Sequence, residues 1–333
     1  MDLAIFEKLQ GLWIALAIHV AVRLGLPDLL ANGPKMLADL ACATRTNGEA
    51  LHRLLRCLKH LGIVTEASPE FYFGTPLSER LERDRPDSLY WLSILYGEAW
   101  QLRAWERLED SIRTGASGVS CAFGSDVWDY LDQHLDADQL YNKALSGLSG
   151  LNNQVARAYD FPAGALVVDV GGGQGGFLGQ ILARNSSVRG VLFDRKSVID
   201  SIGIRDTPPC RDRVSLIAGD MFESIPPDGD FYIIKQVLHD WDDARALAVL
   251  RNCREVIKVG GKLLIAELLI PESGPAALLG SLVDLHMLTI HGGRERTKDE
   301  FISLLRASRF ELQTVIATLT PISIIEALPV RQG

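Results

Sequence analysis

The 333-residue chain has no long apolar run and no excess of basic side chains. Its longest apolar stretch, Leu12 to Val20, is interrupted by His19 and is too short to span a bilayer. The first residues lack the basic segment, apolar core and cleavage site of a secretory signal, so we expect a cytoplasmic protein. With 34 basic and 42 acidic side chains, the formal net charge of −8 argues against nucleic acid as a partner.

Cysteine is scarce and irregularly spaced, and the chain shows no fixed-period repeat. The five cysteines include no C-x-x-C pair, which indicates neither a disulfide framework nor a zinc site. We therefore expect reduced, buried thiols and no bound metal. They are Cys42, Cys57, Cys121, Cys210 and Cys253. At roughly 150 residues per domain, the length suggests about two domains.

The first 160 residues have the spacing of amphipathic helices. Apolar residues recur three and four positions apart, as from Leu51 to Leu61, and Gly62 is a predicted helix stop. Segments Ile63–Thr65 and Phe71–Phe73 then predict a β-hairpin. Helix, turn, helix and hairpin form the winged-helix pattern, so we expect residues 1–160 to fold as a mostly helical winged-helix domain.

From residue 161 the chain alternates short runs of Val, Ile and Leu with amphipathic stretches, which is typical of βαβ units. We expect residues 161–333 to form a Rossmann-like α/β domain with a mostly parallel, seven-stranded sheet. The gap between the last two strands is too short for a crossover helix, so they should pair antiparallel. The predicted strands are Leu166–Val170, Val191–Asp194, Val214–Ala218, Phe231–Lys235, Leu263–Glu267, Phe310–Ile316 and Ser323–Leu328.

A glycine-rich loop directly follows the first of these strands. Glycine permits a tight turn there and lets backbone N–H groups approach a ligand. Two cofactors fit the loop. Gly171, Gly173 and Gly176 satisfy the G-x-G-x-x-G dinucleotide fingerprint, and Asp169-x-Gly171-x-Gly173-x-Gly175 satisfies the S-adenosylmethionine pattern. The loop by itself leaves both cofactors open.

Acidic residues after the next two strands fit an adenosine group. Asp194 ends the second strand, where its carboxylate could accept hydrogen bonds from both ribose hydroxyls. Asp220 follows the third strand and could accept from the adenine amine. The neighbouring side chains of Met221 and Phe222 could sandwich the adenine ring. Both candidate cofactors contain adenosine, so these residues do not distinguish them.

Lys235, at the end of the fourth strand, favours one of the two cofactors. Its ammonium could pair with a carboxylate, which S-adenosylmethionine carries where a dinucleotide carries phosphates. Asp169 could balance the amino group of the same methionine moiety. The residues together therefore favour S-adenosylmethionine.

His239 is the candidate general base, because it follows the fourth strand at the sheet edge where ligands bind in α/β folds. Glu267 ends the next strand, and Glu295 lies in the segment Gly292–Thr297. A carboxylate that accepts from one ring nitrogen leaves the other nitrogen able to take a proton. At its ordinary pKa of about 6.5, the imidazole would be mostly neutral at neutral pH and ready to act on a phenol.

Three side chains are candidates for the acceptor pocket: Trp128, Met287 and His291. Each could contact an aromatic substrate, and each could equally be part of the packed core.

These residues resemble the class I S-adenosylmethionine-dependent O-methyltransferases of plant phenylpropanoid and bacterial antibiotic pathways. The resemblance covers nearly the whole chain, and its motifs are Val168–Gly173, Gly219–Phe222, Lys235–Trp241 and Gly293–Thr297. The chain departs from the plant pattern at Arg195-Lys196, and His291-Gly292-Gly293 replaces the plant motif Asn-Pro-Gly-Gly.

The resemblance implies an enzyme of natural-product biosynthesis that methylates a hydroxyl of an aromatic small molecule. It implies that His239 is the general base, that Glu267 and Glu295 flank it, and that S-adenosylmethionine is the methyl donor without a metal. It also implies a homodimer through the front domain, with a helix around Leu140–Tyr159 helping to close the substrate pocket.

Two other functions remain open. Some relatives use bound S-adenosylmethionine without transferring its methyl, while the pocket hydroxylates or rearranges a polyketide-like substrate; the presence of His239, Glu267 and Glu295 argues against this. A DNA-binding regulator would use the locally basic helix that carries Arg53 and Arg56, but the overall acidity argues against that function.

Overall fold

The computed structural model describes residues 3–85, 87–147, 149–202 and 211–330. Two compact units divide the chain. The first contains residues 1–103 and 128–150, and the second contains residues 104–127 and 151–333. Neither unit is contiguous in sequence, and the predicted boundary near residue 160 stays a prediction.

Short helices and a small sheet make up the chain up to residue 157. Strands β1 to β3 pair antiparallel in the order β1-β3-β2, and β2 and β3 confirm the predicted hairpin. The elements are α1 (Leu3–Leu9), α2 (Gly11–Arg23), α3 (Leu26–Ala31), β1 (Lys35–Met36), α4 (Leu37–Thr44), α5 (Gly48–His60), β2 (Val64–Ser68), β3 (Phe71–Gly74), α6 (Pro76–Glu79), α7 (Tyr90–Tyr96), α8 (Ala99–Glu106), α9 (Leu108–Thr114), α10 (Gly118–Phe123), α11 (Val127–Gln133), α12 (Leu135–Gly147) and α13 (Ser149–Arg157).

Helix α5 shows how the sequence specifies these elements. Its N-cap Asn47 accepts a hydrogen bond from the Ala50 N–H at 2.9 Å. Its leucines at three- and four-residue spacing, such as Leu51 and Leu55, are buried in the core of the first unit. Gly62 has a φ of 72°, and the Ile63 N–H bonds back to the Leu58 carbonyl at 2.9 Å. Gly62 thus ends the helix as predicted.

The second unit contains the larger sheet and its covering helices. The elements after residue 160 are β4 (Leu166–Val170), α14 (Gly176–Arg184), β5 (Arg189–Asp194), α15 (Lys196–Ser201), β6 (Val214–Ala218), β7 (Phe231–Lys235), α16 (Asp243–Val256), β8 (Lys262–Leu268), α17 (Pro275–Ile290), α18 (Lys298–Ala307), β9 (Phe310–Ala317) and β10 (Ile322–Pro329). Two single-turn 3₁₀ helices, Arg211–Arg213 and Leu238–Asp240, precede β6 and α16. The structure confirms all seven predicted strands, with ends within two residues.

The described part of the second unit has a seven-stranded sheet in the order β6-β5-β4-β7-β8-β10-β9. Strands β4 to β8 are parallel, and β10 pairs antiparallel with both β8 and β9, as predicted. The chain moves outward from β4 to β6 and then returns to the other side of β4 with β7. This reversal opens a crevice at the carboxyl end of β4, where ligands bind in folds of this kind.

The expectation that the cysteines are buried was wrong for two of them. Cys42 and Cys57 are exposed, because each lies on the face of its helix opposite the buried leucines, whereas Cys253 is buried. Cys210 lies outside the described residues. The helix expected around residues 140–159 corresponds to α12 and α13, which cover residues 135–147 and 149–157; residue 148 lies outside the described residues.

None of the helices in the described residues is long and apolar enough to cross a membrane.

Candidate active site

The carboxyl edge of the large sheet brings the predicted site residues into one row. Asp194 ends β5, Asp169 lies near the end of β4, Lys235 ends β7, and Glu267 lies near the end of β8. Asp220 follows β6 by two residues. The parallel register aligns these ends, with Asp169 beside Ile233 and Lys235 beside Ala266. Residues up to about 100 positions apart in sequence therefore share one edge.

Glycine is required in the loop after β4 for its backbone conformation and its close contacts. Gly171 and Gly173 have φ values of 71° and 57°, which favour glycine. A Cβ on Gly172 would lie 2.6 Å from Oδ2 of Asp169, and one on Gly171 would lie 2.8 Å from Val237. A Cβ on Gly173 would meet no described atom within 4 Å. The loop is thus tight against the sheet and open on its outer side.

Asp194 ties the glycine loop to the end of β5. Its Oδ2 accepts the Gly173 N–H at 2.8 Å, and its Oδ1 accepts the Arg195 N–H at 2.7 Å. Burial raises the pKa of Asp194, although both hydrogen bonds oppose the rise. Each carboxylate oxygen has a second lone pair, so Asp194 can still accept from ribose hydroxyls as predicted.

Asp169 and Lys235 place opposite charges beside the loop. Asp169 is buried, and its Oδ2 has no hydrogen-bond partner among the described residues. Burial raises the pKa of Asp169 to about 7, against the opposing effect of Lys235. The Lys235 ammonium donates to Oε1 of Gln236 at 2.8 Å, and burial lowers its pKa. An unsatisfied carboxylate and a buried ammonium fit the amino and carboxylate groups of a methionine moiety.

The segment after β6 packs against α16. Oδ1 of Asp220 accepts the Phe222 N–H at 2.8 Å, and the Met221 carbonyl accepts from Nδ2 of Asn252 at 2.8 Å. The Phe222 ring packs edge-to-face on Trp241, with centroids 4.9 Å apart. Met221 and Phe222 are both partly buried against the core. These contacts hold the predicted adenine-binding segment in place.

His239 lies in the short 3₁₀ helix after β7 and is surrounded by three carboxylates. Its Nδ1 lies 2.7 Å from Oε1 of Glu295 and 3.6 Å from Oε2 of Glu267. Its Nε2, on the other side of the ring, lies 3.5 Å from Oδ1 of Asp240. The structure thus brings together the predicted His239, Glu267 and Glu295, and adds Asp240.

Both glutamates are held by backbone contacts. Oε1 of Glu267 accepts the N–H groups of Val237 and Leu238, each at 3.0 Å. The Glu295 N–H donates to Oδ1 of Asp284 at 2.8 Å. Leu269, just after β8, forms a parallel bridge with Arg296, which brings the Glu295 segment beside Glu267. The carboxylates are therefore positioned before any ligand binds.

The Glu295 segment is also locked against the backbone of His239. A Cβ on Gly293 would lie 2.1 Å from the His239 carbonyl oxygen, so only glycine fits. The Arg294 N–H donates to that carbonyl at 2.8 Å. The buried Arg296 guanidinium donates to the carbonyls of Leu238 and Trp241, both at 2.9 Å. The motif Gly293–Thr297 therefore holds the backbone around His239 in place as well as supplying Glu295.

The carboxylates change the protonation of His239. Burial alone would lower its pKa, but Glu267, Asp240 and Glu295 raise the pKa of His239 to about 10. The expectation of a mostly neutral imidazole at neutral pH, based on the ordinary value, is wrong for this site without ligands. His239 is a stronger base than free imidazole, and it holds its proton more firmly.

The donor atoms of His239, Glu267 and Glu295 lie within 4.8 Å of one another, a spacing that could hold a metal ion. The hydrogen bonds that these residues make need no metal, and Oε2 of Glu267 and Oε2 of Glu295 have no hydrogen-bond partner among the described residues. A shared proton explains the 2.7 Å contact between Nδ1 and Glu295, and two backbone N–H groups occupy Oε1 of Glu267. We do not assign these residues as metal ligands.

The predicted acceptor-pocket residues belong to both units. Met287 is buried in α17, and His291 directly follows that helix, with its Nδ1 3.2 Å from Oδ1 of Asp240. Trp128 belongs to the first unit, where its ring packs edge-to-face on Tyr141 at 6.1 Å. The structure therefore places His291 beside the His239 centre.

Sequence reasoning missed four residues that shape the centre: Asp240, Asp284, Gly293 and Arg296. Asp240 and Arg296 lie inside motifs that had been noted, but nothing in the sequence shows which atoms they contact. Asp284 lies in α17, a mostly apolar helix with one carboxylate, and that single acidic residue was the available signal.

A Rossmann-like sheet, a glycine loop and a histidine held by carboxylates define a class I S-adenosylmethionine-dependent methyltransferase. Comparison with known families agrees. Residues 105–311 match the O-methyltransferase domain family, and residues 6–84 match the O-methyltransferase dimerisation domain family. The chain belongs to this O-methyltransferase family, and S-adenosylmethionine is its cofactor.

Similar proteins come from bacterial antibiotic pathways. The chain is 39% identical to the phenazine O-methyltransferase PhzM of Lysobacter antibioticus over 98% of this chain and 96% of the relative. It is 37% identical to the mitomycin biosynthesis 6-O-methyltransferase of Streptomyces lavendulae over 96% of this chain and 92% of the relative. The S-adenosylhomocysteine-bound structure of the calicheamicin methyltransferase CalO1 is similar with a TM-score of 0.87 and 30% identity, covering 99% of this chain and 100% of that one.

Proposed function

We propose that this enzyme transfers a methyl group from S-adenosylmethionine to a hydroxyl of an aromatic small molecule in natural-product biosynthesis. The observation that carries the proposal is the His239 centre, in which Glu295 holds Nδ1 at 2.7 Å and Nε2 faces the opposite side of the ring. The relative named for phenazine, an aromatic ring system, supports an aromatic acceptor.

We assign His239 as the general base. Its Nε2 removes the acceptor proton, while Glu295 and Glu267 stabilise the imidazolium that results. The cofactor, when bound, supplies the electrophilic methyl group on its sulfonium. A positive charge bound near His239 would lower the pKa of its imidazole, and His239 would then release more readily the proton that the carboxylates hold.

The cofactor contacts follow from the row of residues at the sheet edge. We propose that Asp169 and Lys235 bind the amino and carboxylate groups of the methionine moiety and that Asp194 binds the ribose. Asp220, Met221 and Phe222 would bind the adenine. The glycine loop, through Gly171 and Gly173, lets the backbone approach the ligand, because no Cβ intervenes.

We propose that Met287 and His291, both in the second unit, line the acceptor pocket, and a role for Trp128 stays a prediction. The intact centre of His239, Glu267 and Glu295 argues against the non-methylating alternative. That alternative also predicts that S-adenosylhomocysteine is not formed.

The test uses S-adenosylmethionine with a deuterated methyl group and a panel of phenols, arylamines and enols, with mass spectrometry of products. We expect a labelled methyl ether from a phenol together with one equivalent of S-adenosylhomocysteine. His239→Gln should lose the product, while His52→Gln, a matched change in α5, should keep it. A labelled arylamine product alone would move the assignment to nitrogen transfer. Substrate conversion without S-adenosylhomocysteine would overturn the proposal.

We also propose a cytoplasmic homodimer formed through the first unit. Helices α1 and α2 expose a row of large apolar side chains, namely Ile5, Phe6, Leu9, Leu12 and Trp13. Such a row is a liability unless a second copy covers it, and α2 and the end of α1 lie within the residues that match the dimerisation family. Sedimentation velocity should show twice the 36.6 kDa chain mass, and the double variant Leu9→Ser, Trp13→Ser should dissociate. Val259→Ser, at an exposed site in the second unit, is the matched control; a wild-type monomer would exclude the dimer.

A further inference from the structure

The Arg296 side chain is buried next to the base and carries its positive charge there. A guanidinium has five N–H donors and no acceptor. Nη1 donates to the carbonyls of Leu238 and Arg294, at 2.9 and 3.3 Å, and Nη2 donates to the carbonyl of Trp241 at 2.9 Å. Nε donates to Oδ1 of Asp243, the first residue of α16, at 2.9 Å. Every nitrogen of this buried group therefore has an acceptor.

Two of these acceptors enclose His239. Leu238 directly precedes it, and Trp241 directly follows the 3₁₀ helix Leu238–Asp240. One guanidinium thus donates to the carbonyls at both ends of the turn that carries the base. Rotation of that turn would break at least one of the two hydrogen bonds.

The same arginine directly follows Glu295 in sequence. Oε1 of Glu295 lies 2.7 Å from Nδ1 of His239, and the Arg294 N–H donates to the His239 carbonyl at 2.8 Å. Residues 294, 295 and 296 therefore contact the turn through a backbone N–H, a carboxylate and a guanidinium. The first two contacts are made to His239 itself, whereas the third holds the residues on either side of it.

These contacts need the shape of a guanidinium and not only its charge. Its planar fork directs donors to several acceptors at once, whereas a lysine ammonium is a point charge on a flexible stem. Separating a buried charge from its partners is strongly unfavourable, so the side chain has little freedom to move. Arg213 makes a comparable set of contacts at the amino end of β6, far from the base in the sheet. It donates to the carbonyls of Leu182, Asn185 and Val188 at 2.7–2.9 Å.

We propose that Arg296 is a positioning residue for methyl transfer: its guanidinium fixes the turn that carries His239 against the Glu295 segment, and so sets the contact between Nδ1 and the Glu295 carboxylate. This inference rests on the proposed function of His239 as the base. It gives the buried arginine a part in the reaction in addition to its part in the fold.

The test compares Arg296→Lys with the wild type. Lysine keeps the charge but cannot span both carbonyls, so the contact between Nδ1 and Glu295 should lengthen. Because Glu295 raises the pKa of His239, that pKa should fall, and the rising limb of kcat/KM should move to lower pH by about one unit. A displacement of about 1 Å in a catalytic group should also lower kcat, on the order of 10²-fold. The KM for S-adenosylmethionine should be unchanged.

Arg213→Lys is the matched control, because it makes the same substitution at an arginine that also holds backbone carbonyls. It should lower the temperature of unfolding without moving the limb. If Arg296→Lys does not fold, Arg296→Gln replaces it. Loss of a nearby positive charge would raise the pKa of His239, so a fall in that pKa would still indicate altered geometry. The variants keep the other charged groups around His239, namely Glu267, Glu295, Asp240, His286, His291 and Lys235.

Proton NMR gives a readout that does not depend on turnover. A short, charge-assisted hydrogen bond moves its proton to low field, and the Nδ1 proton that faces Glu295 should give such a resonance. Its absence in His239→Gln assigns it. The resonance should move to higher field in Arg296→Lys and stay in place in Arg213→Lys.

The positioning role is overturned if folded Arg296→Lys keeps both the resonance and the limb, or if Arg213→Lys changes them equally. Thermal unfolding and S-adenosylhomocysteine affinity show whether each variant is folded. Absence of any methylated product from the wild type would count against the proposed function, and the resonance would still decide the role of Arg296.

Discussion

The glycine loop and the His239 centre lie at the same edge of one sheet, but they are built in opposite ways. The loop is a single contiguous segment, Asp169 to Gly176, whose shape follows from positive φ angles at its own glycines. The centre joins three segments, around His239, Glu267 and Glu295, through hydrogen bonds that span up to 56 residues. A local site is specified by its own residues, whereas a long-range site depends on how distant segments meet.

This contrast predicts two separable classes of variant. Changes in the loop should weaken cofactor binding and leave the pH dependence of the rate in place. Changes in the centre should alter the rate or its pH dependence and leave cofactor binding in place.

The largest effect is expected for His239→Gln. Removing the base should lower kcat by about 10²- to 10⁴-fold, the usual contribution of general-base catalysis. The affinity for S-adenosylhomocysteine, measured by calorimetry, should be unchanged, because His239 lies outside the row of cofactor contacts. An equal loss of affinity would show that the two sites are not separable.

Gly293→Ala should be the next most harmful change. The added Cβ would lie 2.1 Å from the His239 carbonyl oxygen, so the segment carrying Glu295 must shift. A displacement of about 1 Å in a catalytic group can cost on the order of 10²-fold in rate. Gly48→Ala, at a glycine of α5 without a positive φ whose Cβ would lie 4.0 Å from the Ala41 Cβ, is the control for the loss of a glycine by itself. Full activity in Gly293→Ala would contradict the close contact between Gly293 and the His239 carbonyl oxygen.

Asp169 is expected to make ligand binding at the glycine loop depend on pH. Its pKa of about 7 means that the carboxyl is increasingly protonated below pH 7 and cannot then pair with an ammonium group. S-adenosylhomocysteine affinity should therefore fall as the pH drops below 7, by up to about tenfold per unit. Calorimetry from about pH 5.5 to about pH 8, on both sides of this pKa, should show the slope in the wild type. In Asp169→Asn the affinity should not change with pH. A slope that persists in the variant would assign the titration to another group.

Glu267→Gln should give the smallest but most specific effect. The amide oxygen can still accept from the N–H groups of Val237 and Leu238, so the fold should be kept. Loss of the negative charge removes the largest influence that raises the pKa of His239, so that pKa falls. The rising limb of kcat/KM should move to lower pH by about one unit. If the rising limb of the kcat/KM profile does not move, a group other than His239 controls the pH dependence.

Sequence reasoning succeeded where local pattern carries the information. Strand β4, the glycine loop and the hairpin β2–β3 each follow from residues that are neighbours in the chain. The antiparallel pairing of β9 and β10 followed from a gap too short for a helix. The exposure of Cys42 and Cys57 was missed because a cysteine fits either face of a helix, and neighbouring leucines decide which face is buried.

The catalytic centre shows the limit of that reasoning. The residue types of His239, Glu267 and Glu295 and their places after strands were visible in the sequence. Their distances, and the roles of Asp240, Asp284 and Arg296 around them, were not. The pKa of His239 differs from its ordinary value because three carboxylates converge on it, which is a property of the folded chain.

The sequence by itself determined the parallel sheet, the glycine loop and the identity of the side chains at the sheet edge, because periodicity and glycine conformation act over a few residues. Only the tertiary structure decided which glutamate holds Nδ1, how the segment around Gly293 fits against His239, and that Asp240 lies between two imidazoles. Those features depend on contacts between residues about 30 to 60 positions apart, and the packing of the sheet and α17 brings them together.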